Sequence, residues 1–261
     1  MSYQTIRLST DTRGVATLTL NRPEKHNSMS ARMISELTDA AATLAADRRL
    51  RAVVLTGEGE SFCAGGDLAW MKKQFNADRA TRIAEARHLA NMLGALNTLP
   101  QPVIGKINGQ AYGGGMGMMS VCDVAIGADH AKFGFTETRL GLIPATISPY
   151  VIARMGEAYA RRVFMSARLF DATEAQSLDL LAKVTPAGEL DDAIEAEIKP
   201  YLSAAPGAVA RSKRLTRMLG PEITQLKIEA TIEALADAWD DAEAHEGVAA
   251  FFEKRKPNWK T

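Results

Sequence analysis

Residues 110–117 read QAYGGGMG and stand mid-chain between apolar runs. Three consecutive glycines favour neither helix nor strand, so bare backbone here has a use: something approaches it closely. Working outward, PVIGKING at 102–109 reads as a short buried strand. A helical stretch follows the glycines, and CDVAIGA at 122–128 is a further strand. The same design occurs once upstream. RAVVLTG at 51–57 is a buried strand, and SFCAGGDLAWM at 61–71 supplies a small-residue turn and a helix start. Strands alternating with helices predict parallel strands joined by right-handed crossovers.

Either the glycines allow close helix–strand packing, or they bare N–H groups at a helix start, where the dipole favours an anion. Two such loops from neighbouring strands would aim two donors at one oxygen, as an oxyanion requires. A phosphate loop fits less well: GGGMGM lacks the GxxxxGK[ST] pattern, and no dinucleotide fingerprint is met, which disfavours hydride transfer.

The rest of the chain is consistent with one α/β core. GVATLTL at 14–20 alternates, and with YQTIRLS and the turn TDTRG it predicts a β-hairpin. NRPEKHNSMS ends in Ser30, a good N-cap, after which Met33, Ile34, Leu37, Ala41 and Leu44 recur at helical spacing. A second helix is predicted around 81–99. Beyond about residue 150 the pattern is almost wholly helical, broken at Pro206 and Pro221. The division this suggests is 1–195 for the core and 196–261 for a helical region.

Composition narrows the function classes. Lys plus Arg and Asp plus Glu number 31 each, so no global charge draws the chain to nucleic acid or an anionic surface. No apolar run is long enough for a membrane span, and the start is polar, without a signal-peptide core. Cys63 and Cys122 are isolated, and the four histidines lack ligand spacing, so a reduced cytoplasmic protein with no metal site is expected.

NRPEKHNSMS, GEGESFCAGGDL, INGQAYGGGMGMMSVCDVAIGADHAKFGFTETRLGLIP and EGVAAFFEKRKPNW, in that order, resemble the enoyl-CoA hydratase/isomerase (crotonase) superfamily across nearly the whole chain. The resemblance implies an α/β fold with a ββα spiral core and a C-terminal helical trimerisation region. It implies an acyl-CoA substrate, with CoA part of that substrate and no separate cofactor, and a homo-oligomer: a trimer or a dimer of trimers. By position, the backbone N–H groups of Ala64 and Gly114 hold the thioester oxygen. Glu137, in FGFTETRLGLIP, matches the second catalytic glutamate. Phe133, Phe135, Leu140 and Ile143 are expected to desolvate it.

The position two residues after GGG, where the hydratases of this superfamily usually carry a first glutamate, is Gly117. A single carboxylate suits a Δ3,Δ2-enoyl-CoA isomerase, in which one base moves one proton from C2 to C4. The run PATISPYV and the stretch GGDLAWMKK instead resemble bacterial methylglutaconyl-CoA hydratase-like members. The reading is therefore a hydratase of a short or branched enoyl-CoA, with leucine breakdown as its setting. The isomerase, and a non-catalytic acyl-CoA- or RNA-binding relative, are the alternatives. Gly66, Asp67, Leu68, Trp70, Met71, Gly113, Met116 and Gly117 are expected along the acyl group. Arg22, Lys25 and His26 are expected along CoA, with Phe251 and Lys254 at its nucleotide.

Overall fold

A computed structural model describes residues 3–260. The hairpin forms as expected: β1 (Ile6–Thr10) and β2 (Val15–Leu20) pair antiparallel. Helix α1 (Ala31–Ala46) starts at Ser30, whose hydroxyl accepts from the Met33 N–H at 3.2 Å. It buries the anticipated stripe, together with Ala40.

Three long strands follow, and each leads into a short one. They are β3 (Ala52–Gly57) with β4 (Ser61–Cys63), β5 (Val103–Ile107) with β6 (Gln110–Tyr112), and β7 (Val124–Ala128) with β8 (Lys132–Gly134). Between them lie α2 (Leu68–Phe75) and α3 (Arg79–Asn97), then α4 (Gly114–Ser120). Beyond come α5 (Ser148–Phe164), β9 (Leu169–Asp171), α6 (Ala172–Ser177) and β10 (Lys183–Thr185). The long strands build a six-stranded sheet in the order β1-β2-β3-β5-β7-β10, parallel from β2 onward. The short ones build a second sheet, β4-β6-β8-β9, whose last pair is antiparallel. Short strands at 61–63 and 110–112 thus precede the small-residue turns that the sequence suggests. Three residues are too few to show a period, so only pairing reveals them.

This double layer positions the site. In the second sheet, Cys63 pairs with Ala111 and Tyr112 with Gly134. The three segments leaving β4, β6 and β8, at 64–67, 113–115 and 135–137, therefore emerge side by side.

Helix α7 (Leu190–Ser203) packs Leu190, Ala193, Ile194 and Ile198 into one cluster with Val54, Ile104 and Ile126 of the large sheet. The expected division after residue 195 falls inside this helix. The helical region proper starts with α8 (Pro206–Leu219) and continues through α9 (Gln225–Asp240) and α10 (Ala242–Phe252). Ile232 of α9 packs against Ala86 and Ala90 of α3, and Arg79 reaches Glu233, Asp237 and Asp240.

Candidate active site

The loops after β4 and β6 are pressed together. A Cβ on Gly115 would fall 2.4 Å from the Cys63 carbonyl oxygen, and one on Gly65 would lie 3.1 Å from that of Tyr112. Gly113, at φ +48, turns the chain into α4. The Gly114 N–H, first in that helix, donates to no acceptor among the described residues.

On the other loop the expected donor is already engaged. The Ala64 N–H is spent on the His26 carbonyl at 2.9 Å. Residues 26–29 run beside 64–67 as an added strand, with Met29 N–H to Gly65 O at 2.7 Å and Asp67 N–H to Met29 O at 2.9 Å. This ladder leaves the N–H groups of Gly65 and Gly66 without an acceptor among the described residues. Gly65 is buried and Gly66 partly exposed, so Gly66 is the one that borders open space. The Met29 methyl sits where a Cβ on Gly114 would be, so this buried side chain lies between the two loops. Nothing in the spacing of the sequence marks Met29.

Glu137 opens the 3-10 turn Glu137–Leu140. Its Oε1 would lie 3.1 Å from a Cβ on Gly113, and its Oε2 is buried without a hydrogen-bond partner. Burial pushes its carboxyl up from 4.5 to about 7, opposed only by its own N–H. Phe133 and Phe135 are fully buried and Leu140 partly so, whereas Ile143 points outward and is 38% exposed.

One helical turn beyond Gly113, the Gly117 position is closed. A Cβ there would meet Ile147 Cγ2 at 2.5 Å and Cβ at 2.9 Å. The absent glutamate is therefore an absent volume as well, taken by the isoleucine of PATIS.

The remaining candidates divide into scaffold and surface. Arg22 donates to Asp67 at 2.8 Å and to the Ser28 carbonyl at 2.7 Å, both side chains being largely buried. Asp67 also caps α2 through the N–H groups of Ala69 and Trp70. Despite the desolvation that opposes it, Arg22 and these N–H groups hold the Asp67 carboxyl below its usual range. Arg22 and Asp67 thus fasten the loops to each other. Asp67→Asn should cost about 3 kcal/mol, as for one member of a buried pair, read from denaturant midpoints. Because the Asp67 carboxyl is depressed, that difference should fade as pH falls through its folded value.

His26 shares a 2.9 Å hydrogen bond between its Nδ1 and Ser61 Oγ, while Lys25 is exposed. Trp70 donates to Glu85 at 2.8 Å, and its ring lies with Met71 over Gly66. Leu68 is 54% exposed, whereas Met116 is fully buried in the main core and is a packing residue. Phe251 and the exposed Lys254 stand at the end of α10. A cleft of about 930 Å³ between α5 and α8, lined by Ser120, Arg154 and Arg217 among others, includes neither Glu137 nor the glycine loops. Chemistry rather than volume marks the site.

Comparison with known proteins agrees with this geometry. The profile of the family described as enoyl-CoA hydratase/isomerase matches residues 10–261. The chain is 31% identical over 262 residues to a Rattus norvegicus protein named methylglutaconyl-CoA hydratase, mitochondrial, covering 97% of this chain and 81% of that one. The crystal structure of an enoyl-CoA hydratase from Shewanella pealeana has 36% identity and a TM-score of 0.81, covering 98% of this chain and 96% of its own. That of an enoyl-CoA hydratase from Mycobacterium avium has 31% identity and a TM-score of 0.87, with 98% and 99% covered. With paired glycine loops, a buried glutamate and a matching profile over almost its full length, the chain belongs to the enoyl-CoA hydratase/isomerase family of enzymes.

Proposed function

We propose that the protein is an enoyl-CoA hydratase. The observation that carries this reading is the buried Glu137 carboxyl, with Oε2 unpartnered among the described residues and Oε1 set against Gly113, next to the free N–H of Gly114. The thioester oxygen of the substrate accepts from the Gly66 and Gly114 N–H groups. Water adds at C3 as Glu137 takes its proton, and the electron pair of C2=C3 moves onto the thioester oxygen. Glu137 then returns the proton to C2, so one water is added and the carboxylate is regenerated. A carboxyl near 7 is suited to both halves of that exchange. The two N–H donors serve the enolate through backbone alone.

The substrate class we propose is a short, C3-branched enoyl-CoA such as 3-methylglutaconyl-CoA, supported by the rat relative's name. CoA enters as part of the substrate. We also propose a homotrimer or a dimer of trimers, for which the exposed Leu215, Met218 and Leu219 of α8 are an apolar surface. Two buried free cysteines fit the cytoplasm.

The closed Gly117 position favours a second reading, a Δ3,Δ2-enoyl-CoA isomerase with Glu137 as its only base. Incubating the protein with crotonyl-CoA, 3-methylglutaconyl-CoA and a 3-enoyl-CoA separates the readings. Loss of the enoyl thioester absorbance marks hydration, and its appearance marks isomerisation. Turnover of none of them by protein that binds CoA would leave only a binding role. The Ile147 contact adds an expected result. Gly117→Glu alone gains no crotonyl-CoA hydration, because the new side chain strikes Ile147. Combined with Ile147→Gly, it should raise that rate by about 10- to 100-fold through the second carboxylate.

A further inference from the structure

We propose that Gly247 of α10 is a positioning residue for Glu137, holding the base through the backbone of its turn. This rests on the reading of Glu137 as the base. The contact is reciprocal and made of main chain. A Cβ on Gly141 would fall 2.4 Å from the carbonyl carbon and oxygen of Glu243 and 2.6 Å from the Ala244 nitrogen. A Cβ on Gly247 would fall 2.5 Å from the carbonyl carbon of Leu140 and 2.6 Å from its oxygen. Helix α10 and the turn Glu137–Leu140 therefore meet with no side chain between them at these two points, and neither can yield by a rotamer change.

Leu142, Ala244 and Val248 are buried around the contact. Below it, the Glu137 carbonyl accepts from the N–H groups of Gly141 and Leu142, so the start and end of the turn move together.

The carboxyl itself gives the contact its importance. Among the described residues no other side chain tethers it, and Oε2 has no partner at all. A base without a tether stands where its backbone puts it. The carboxyl lies against Gly113 on one side, while α10 backs the turn on the other. The charged or titratable groups these elements carry are Arg139 on the turn, Tyr112 on β6, and Glu243, His245 and Glu246 on α10. Glu246 is engaged by Arg255 at 2.6 and 2.8 Å.

Gly247→Ala is the test, because alanine favours a helix over glycine and any loss then comes from the contact. Forcing the turn outward should lower kcat about 10- to 100-fold, as a misplacement near 1 Å does, while KM stays within about twofold. Water reaching the displaced carboxyl should move the acid limb of the pH–rate profile down from about 7. Val248→Ala loosens the same contact without a clash and should shift both readouts in the same directions, by less. Gly188→Ala, where a Cβ meets nothing within 4 Å, is the control. A merely structural Gly247 would change the melting temperature and leave kcat and the acid limb alone. Either of these staying put in both variants overturns the proposal. Turnover retained by Glu137→Gln would instead overturn the assignment of the base.

Discussion

Glu137→Gln should abolish turnover and, in the same protein, raise stability at pH 8. Loss of an acid/base group of this kind lowers kcat by about 10²- to 10⁴-fold, while CoA thioester binding should hold, since the amide keeps the size of the acid. The gain in stability follows from the same burial. The carboxyl rises from 4.5 to about 7, so ionising it in the folded chain costs roughly 3 kcal/mol. Below 4.5 the group is protonated in both states and costs nothing. Between 4.5 and about 7 the folded chain keeps a proton that the unfolded chain has released, and stability falls as pH rises. Above that window the penalty is constant. Glutamine mimics the neutral acid and lacks the slope. Melting curves of the two proteins should therefore coincide near pH 4 and separate by several degrees at pH 8. Coincident curves at both pH values would show that Glu137 is solvated and not desolvated. The wild-type protein should lose activity as pH falls below about 7, with the proton uptake of that one group.

The parts of this design that repeat over many residues were open to reading from sequence. The alternating hairpin, the α1 stripe with Ser30 at its head and the buried runs of β3 and β5 each carry a period long enough to identify them. The second sheet was not open in this way. Its strands are three residues each and are defined by pairing across 20 to 50 positions. The site divides similarly. Glu137 and Gly114 stand in motifs, and their types carry the chemistry. The second donor does not. Whether residue 64 or 66 offers its N–H depends on the ladder with 26–29, and that ladder belongs to the fold. Arg22 and Asp67 read as ligand-facing charges, yet they meet each other, because no sequence pattern distinguishes a cation for phosphate from a cation for a cap. The loss of a glutamate at Gly117 is visible in the sequence. That Ile147 occupies its volume is visible only once the 141–147 loop lies on α4.

Gly115→Ala should be more damaging than Gly114→Ala, and the reason separates donor geometry from mere crowding. A Cβ on Gly114 would meet the Met29 methyl. That obstacle is the far end of a flexible side chain, which can turn aside. On Gly115 the obstacle is the Cys63 carbonyl, in a strand paired to β6 and fully buried. Relief then requires the start of α4 to move away from β4, which carries the Gly114 N–H away from Gly66. A donor displaced by about 1 Å loses most of its hold on the enolate oxygen, and one donor contributes about 2.7–4 kcal/mol in a serine protease. Gly115→Ala should therefore lower kcat by about 10²- to 10³-fold, together with about 1–3 kcal/mol of stability from overpacking. Gly114→Ala should lose much less of both. The two effects in Gly115→Ala are separable by assaying at a temperature where the variant is fully folded. Recovery of wild-type kcat under that condition would mean that the spacing of the two loops does not set the rate. Persistence of the deficit with intact thioester binding would place the loss in the transition state, where the two backbone donors act together.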